Sequence, residues 1–385
     1  MANQANGSTE PGIDDGLNRR QALLIAMAGG GVTFGLPDGA KAQTAAAQTA
    51  AAQTAAVDDL TLETVLGPAK GKDIQKALPH EHLFCDLLGP TDPNYMNVDW
   101  STVSGACING AAEWRGQGVN LVIDPTNLGI GRNVLLLRDV SRATGLNIVC
   151  STGIFKSLIP PQYGGLSVDR IAERFVEELT KGCDGTMIRA GFIKIATTEE
   201  GPTETDTMIH HAAAIAGREV GCTISLHSPL AGPTKSVVAT LDSKKFPLDR
   251  FVWMHAQLSP IDDHKAMASR GVTVQYDGIS AHSDPFFTDD ASMLDRIEAM
   301  ARAGFDKQVL VSVDAAVAMN PQKWQSGGHA SHIHRNFAPQ LVERLGEVLA
   351  NQILRDNVIH AYRRADKLPS AAVMEWEPQR PFGLE

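Results

Sequence analysis

Gly191-Phe192-Ile193-Lys194-Ile195-Ala196 is a short apolar run with a lysine in its middle. Strand side chains alternate between faces, so Ile193 and Ile195 share one side and Phe192, Lys194 and Ala196 the other. In a parallel sheet covered by helices both faces are buried. An ammonium there costs too much without a partner. An ion pair or a strand-end position reaching water would satisfy it. So would a depressed pKa that leaves a neutral amine. Such an amine can take up carbon dioxide to give an anionic carbamate, whose two oxygens can bridge two metal ions.

Outward from this run, short apolar segments alternate with amphipathic ones. The pattern predicts eight strands, near Ala77–His82, Val119–Asp124, Asn147–Ser151, Phe192–Ala196, Thr223–His227, Phe251–His255, Val272–Asp277 and Val309–Asp314. Helical periodicity falls between them and continues near Pro339–Leu345 and Glu347–Arg364. Glycines (Gly118, Gly145, Gly191, Gly221, Gly271) lead into several of the strands. Eight alternations predict an α/β fold, a (β/α)8 TIM barrel with its site at the C-terminal ends of the strands. A doubly wound sheet is the alternative, but no G-x-G-x-x-G follows the first strand.

Polar residues gather where this architecture puts chemistry. His80 and His82 end strand one, Lys194 lies in strand four, His227 and His255 end strands five and six, and Asp314 ends strand eight. Residues two apart on a strand point the same way, so the two histidines of His80-Glu81-His82 can share a metal while Glu81 faces elsewhere. Imidazoles and carboxylates suit zinc, manganese, cobalt or iron(II).

In these motifs the chain resembles the phosphotriesterase-related branch of the amidohydrolase superfamily. His80-Glu81-His82-Leu83 is similar to that family's opening strand, and Arg189–Thr198 to its bridging-lysine strand. Ser225-Leu226-His227, Trp253-Met254-His255 and Ser312-Val313-Asp314 follow in matching order and spacing, and the likeness covers most of residues 74–363. The resemblance implies two divalent metal ions, zinc foremost. His80, His82 and Asp314 would hold the more buried ion, and His227 and His255 the more exposed one. N-carboxylated Lys194 and a hydroxide would bridge them. Paired ions lower the pKa of a shared water and polarise the substrate oxygen, and Asp314 would accept the proton.

The chain departs from both known subgroup patterns. Leu258 stands where phosphotriesterases carry an aspartate, and Gly278 where they carry a histidine. Lactonases tend to carry tyrosine where Phe155 stands and arginine where Gly278 stands. Asp277, read as lying at the mouth, is a candidate for assisting the leaving group, with a turn-capping role as the plain alternative. Gln257 could orient a ligand or satisfy backbone. Residues Ala315–Ala338 read as a substrate loop without a strand, with one of His329, His332 and His334 placed to contact substrate. His210 and His211 read as surface or packing residues, and His264, His282 and His360 carry no context. Phe155, Trp324 and Phe286 could line an apolar pocket or simply pack.

The 385 residues suffice for a large core, and the formal charge of −10 argues against nucleic acid or an anionic membrane as a partner. Five scattered cysteines form neither a disulfide framework nor a thiolate zinc site, and read as buried thiols. Asn18-Arg19-Arg20-Gln21-Ala22-Leu23-Leu24, an apolar run to Phe34 and Ala40-Lys41-Ala42 resemble a twin-arginine export signal over residues 1–42, too short for a membrane anchor. Three Ala-Gln-Thr-Ala-Ala repeats from Ala42 to Ala56 mark a low-complexity linker within residues 43–59, and the barrel is expected over 60–385. The expectation is a periplasmic metal-dependent hydrolase of a lactone or other carboxylic ester, a client of the twin-arginine machinery and, by resemblance, a homodimer. Alternatives are an organophosphate hydrolase at the same site and a non-catalytic metal-stabilised binding protein.

Overall fold

The computed structural model describes residues 56–279, 288–320 and 330–368. The expected export signal, most of the linker, His282, Phe286, Trp324 and His329 lie outside them. Among the described residues no helix is long and apolar enough to cross a membrane.

Among the described residues the first strands form a hairpin, β1 (Thr61–Thr64) and β2 (Gly67–Lys70). Short β3 (Ala77–Leu78) and β4 (Glu81–Asp86) precede α1 (Trp100–Gly116). Strand and helix then alternate: β5 (Leu121–Asp124), α2 (Val134–Thr144), β6 (Asn147–Thr152), α3 (Val168–Thr180), β7 (Phe192–Ala196) and α4 (Glu204–Val220). Next come β8 (Thr223–His227), α5 (Ala231–Ser243), β9 (Phe251–Met254), α6 (Ile261–Ala268), β10 (Thr273–Tyr276) and α7 (Asp290–Arg302). The last are β11 (Val309–Val311), β12 (Ala315–Asn320), α8 (Ala338–Leu345), α9 (Glu347–Asn351) and α10 (Asn357–Ala361). Asn133, Ser167 and Asp289 accept a hydrogen bond from the first turns of α2, α3 and α7, and Thr203 with Asp206 forms a capping box on α4. Left-handed Gly145 and Gly221 end α2 and α4 before the next strand, a conformation that suits glycine.

The eight-stranded parallel sheet runs β3-β5-β6-β7-β8-β9-β10-β11, in sequence order as a (β/α)8 barrel requires. Its two faces form two cores. Leu121, Ile123, Val149, Phe192, Val252, Met254 and Leu310 face inward with Ala77, plugged by Val358, Ile359 and Tyr362 from the terminal helices. Ile193, Ile195, Ile224, Leu226, Trp253 and Val274 face outward, against the helices. Phe192, on the same face as Lys194, is thus inside the barrel. All five cysteines are buried and free, as expected.

The first strand corrects the expectation of one strand over Ala77–His82. It breaks at Pro79-His80, and the two pieces choose different partners: β3 pairs with β5, whereas β4 pairs in parallel with β12. Proline brings no N–H to a ladder, which fits a break there. Ala315–Asn320 is likewise a strand, not the loop expected from the absence of alternation, because it continues the eighth strand past Asp314 to meet β4. Val57 and Asp58, placed in the linker by composition, belong to the barrel. Val57 joins the inner core and Asp58 pairs with Arg355 at 2.5 Å.

The barrel closes where β3 and β11 give way to β4 and β12. His80 N–H donates to Ser312 Oγ (3.1 Å) and Asp314 N–H donates to His80 O (3.2 Å). Glu81 turns away from the neighbouring histidines, as alternation required. Its carboxylate accepts from Ser312 Oγ (2.7 Å), Val313 N (3.1 Å) and Ala315 N (2.6 Å). Removing it would leave buried backbone N–H groups without acceptors. Glu81→Ala should therefore cost about 3 kcal/mol of stability, seen as an earlier urea midpoint. An unchanged midpoint would show that Glu81 does not hold the seam.

Candidate active site

His227 ends β8, His255 follows β9, His80 and Asp314 lie at the breaks after β3 and β11, His82 lies at the start of β4, and Lys194 lies in the middle of β7. Their mutual geometry is tight. One ligand atom each from His80, His255 and Asp314 lies within 4.8 Å of the others. Asp314 Oδ1 is 3.1 Å from His80 Nε2 and 3.3 Å from His82 Nε2, and Oδ2 is 3.9 Å from His255 Nδ1. The His227 and His255 rings meet edge to face at 4.3 Å, and the His80 ring lies 5.2 Å from that of His255. Lys194 feels the charges of Asp314 and Asp277. The six residues expected as ligands therefore converge on one place.

The far nitrogen of three imidazoles is fixed. His80 Nδ1 donates to Asp277 Oδ2 and His255 Nδ1 to Asp277 Oδ1, each at 2.7 Å. His82 Nδ1 lies 2.7 Å from Thr126 Oγ1, whose own hydrogen goes to Phe84 O (3.2 Å). Thr126 can therefore only accept from His82. This arrangement leaves Nε2 as the coordinating nitrogen and sets the ring plane.

Electrostatics sharpen the picture. Burial would lower the His80 pKa, but Asp314 and Asp277 outweigh it and raise it to about 9. A cation at Nε2 would replace that second proton in front of the same carboxylates. Burial, with the His255 and Lys194 charges, holds His227 well below the ordinary range, as a neutral imidazole. Burial would raise Asp314, but His80 and its other histidine neighbours hold it well below the carboxylate range.

Lys194 is buried in the barrel, and its Nζ lies 2.5 Å from the thioether of Met254. Among the described residues no carboxylate comes within salt-bridge distance of it. Burial lowers its pKa to about 8 despite Asp314 and Asp277. Its strand is clamped from both sides. Asn127 donates to Lys194 O (3.0 Å), and a Cβ on Gly153 would stand 2.0 Å from that carbonyl. His255 and Asp314 are two of the six described non-glycine residues with positive φ, at 65° and 60°. Such strain collects at functional sites.

Several expectations change here. Asp277 is not at the mouth. It is wholly buried behind the rings, where its carboxyl also meets His255 N–H (3.1 and 3.2 Å) and Gln275 Nε2 (3.4 Å). Its own N–H reaches Gln257 Oε1 at 3.4 Å. His334 is buried and donates Nε2–H to Ala77 O (3.1 Å), and His332 pairs with Asp290 at 2.9 Å. His210 takes the packing alternative of its reading: it is buried and bonded to Ala196 O (2.9 Å) at the end of the Lys194 strand. His264 bridges Ala256 O (2.6 Å) and Tyr276 Oη (2.9 Å), beside His255 and Asp277. Phe155 packs edge to face on His227 at 4.9 Å. Thr126 and Asn127 escaped the sequence reading because they carry no motif of their own, and Met254, though inside the Trp253-Met254-His255 motif, was given no role. Only their place beside strand ends marks them.

A barrel with polar donors converging at its strand ends defines a hydrolase-type metal centre, and the comparisons agree. The profile of the Phosphotriesterase family matches residues 60–361. The "Phosphotriesterase homology protein" of Escherichia coli is 30% identical over 286 residues, spanning 73% of this chain and 95% of its own. The "Aryldialkylphosphatase" of Saccharolobus solfataricus is 35% identical over 162 residues, 41% of this chain and 51% of its own. A mutant of a phosphotriesterase-like lactonase from Deinococcus radiodurans superposes with a TM-score of 0.69 at 26% identity, covering 78% of this chain and all of the other. The chain belongs to the phosphotriesterase family, whose members use binuclear metal centres, and it is a metal-dependent hydrolase acting on esters.

Thr126→Val removes the acceptor that fixes the His82 tautomer. It should weaken metal retention about 10–100-fold with little change in thermal stability, measured by competition with a chelator. Unchanged retention would show that Thr126 does not set the His82 tautomer.

Proposed function

We propose that the protein hydrolyses a lactone or other carboxylic ester at a binuclear centre. His80, His82 and Asp314 hold one divalent ion, His227 and His255 the second, and N-carboxylated Lys194 links them, with zinc as the metal. The observation that carries this reading is the buried Lys194 amine, set among the six converging residues with a thioether rather than a carboxylate as its nearest polar neighbour. Its lowered pKa favours the neutral amine that carboxylation needs. The fixed Nδ1–H tautomers and the ionised Asp314 fit the same ions. When bound, the paired metals lower the pKa of water and polarise the substrate oxygen. Asp314 takes up the proton as the nucleophile attacks. Its side chain keeps 19% exposure, whereas Asp277 behind it has none.

The carbon electrophile is preferred over phosphorus because Leu258 and Gly278 stand where phosphotriesterases carry their relay aspartate and histidine; the lactonase positions, Phe155 and Gly278, depart as well. The phosphotriester reading stays in view because one relative is named an aryldialkylphosphatase and one solved neighbour an organophosphorus hydrolase. A non-catalytic receptor is not favoured, since one relative is named an aryldialkylphosphatase and the ligand-type residues converge. The arginine pair and the small-residue cleavage pattern of residues 1–42 support twin-arginine export to the periplasm.

Proton release by the zinc- or manganese-loaded protein, followed across lactones, aryl carboxylic esters and an aryl phosphotriester, tests this reading. Lactone or carboxylic ester turnover should dominate. Dominant phosphotriester turnover would overturn it in favour of the alternative. Lys194→Ala should lower kcat/KM at least about 100-fold, with partial rescue by added short carboxylates. Full activity without additive would rule out the bridging lysine.

A further inference from the structure

The carboxylate behind the rings does more than orient one of them. Asp277 offers one oxygen to each of two histidines that the reading above assigns to different ions: Oδ2 to His80 Nδ1 and Oδ1 to His255 Nδ1, both at 2.7 Å. Its remaining contacts, from His255 N–H and Gln275 Nε2, are donors as well, so every partner given for the carboxyl gives it a hydrogen. A carboxylate suits that setting because both of its oxygens accept. We infer that Asp277 is the positioning residue that makes the two metal positions interdependent, by imposing the Nδ1–H tautomer on one imidazole of each. This inference rests on the binuclear assignment above. In this role Asp277 acts through the two rings, from a wholly buried position behind them.

The chemistry gives a sharp discrimination between two substitutions. An asparagine has one accepting and one donating end. In Asp277→Asn the amide oxygen can serve one imidazole, while the NH2 faces the Nδ1 of the other. That second ring must then accept at Nδ1 and carry its hydrogen on Nε2, where it can no longer bind a metal. The His255 backbone N–H reaches both oxygens and Gln275 Nε2 donates to Oδ2, so either orientation of the amide turns its NH2 toward one of the two imidazoles and costs one of the two positions. In Asp277→Ala neither tautomer is imposed. Both positions weaken by about 10–100-fold, yet both fill at saturating metal.

The test is metal content per chain after equilibration with excess zinc and gel filtration into zinc-containing buffer, beside circular dichroism. Wild type and Asp277→Ala should hold about two ions and Asp277→Asn about one. Two ions in Asp277→Asn, or equal loss in both variants, would overturn the clamp. A merely structural role predicts the smaller deficit in the near-isosteric asparagine, the opposite order. Should Asp277→Asn fail to fold, 15N-histidine spectra of the zinc-loaded wild type decide. Nδ1–H at both His80 and His255 supports the inference, and Nε2–H at either overturns it. A wild type that never holds more than one ion defeats the binuclear reading instead, and the same spectra still decide the clamp.

Discussion

The seam between the first and last strands is the constraint on which the rest depends. The eight-stranded sheet ends at β3 and β11, and these do not continue as an ordinary ladder. Both chains bend, β3 at Pro79-His80 and β11 at Asp314, and each resumes as a strand paired with the other. The Glu81 carboxylate accepts from the N–H groups on either side of Asp314, those of Val313 and Ala315. That grip accounts for the left-handed backbone of Asp314, a conformation that costs a non-glycine residue about 1–2 kcal/mol. Closing the barrel and presenting Asp314 to His80 and His82 are therefore one structural event.

The same logic explains why so much polarity is tolerated inside. A buried charge survives only if paired or bound to a metal. Asp277 is wholly buried and still ionised. Burial pushes its pKa up, but the His255 and His80 rings more than reverse that. His264 and His334 meet a different fate. Their partners include backbone carbonyls, burial dominates, and both fall to about 4. They stay neutral at physiological pH and bolt strand ends in place. The group that receives the first N–H separates these histidines from His80.

That distinction also marks how far the sequence could be read. Alternation put Lys194 on the same face as Phe192, the face that the structure turns into the barrel, and the ligand-type residues converge as the strand-end rule expects. Strand one was harder. The His80-Glu81-His82 spacing suggested regular alternation, but the pairing switch at Pro79 depends on β12, more than two hundred residues away. β12 itself, Ala315–Asn320, lacks alternation because its residues are mostly half-buried on a two-stranded ladder rather than sandwiched in a barrel wall. Asp277 was legible as a charged strand end. Its role was not, since the preceding residues give no hint that one ring from the neighbouring strand β9 and one from the break after β3 would lie in front of it. His210 and His264 show the same limit: a lone histidine on a helix says nothing of the carbonyl it will meet.

The charges of the centre then bear on what it can act upon. Two divalent cations bring four positive charges into a pocket walled by low-polarity strands. On the proposed reading this chain answers with three anions, Asp277, Asp314 and the carboxylated Lys194. Glu81 adds little, because burial raises its pKa to about 8 even though three donors oppose the shift. The bridging hydroxide of that reading supplies the fourth negative charge, so the centre is close to neutral before reaction. Negative charge that passes from the hydroxide to the substrate oxygen in the transition state stays beside the same cations. Asp277 is part of this balance. With the carboxylate neutralised, a positive surplus would appear behind the rings, where Asp277 is wholly buried.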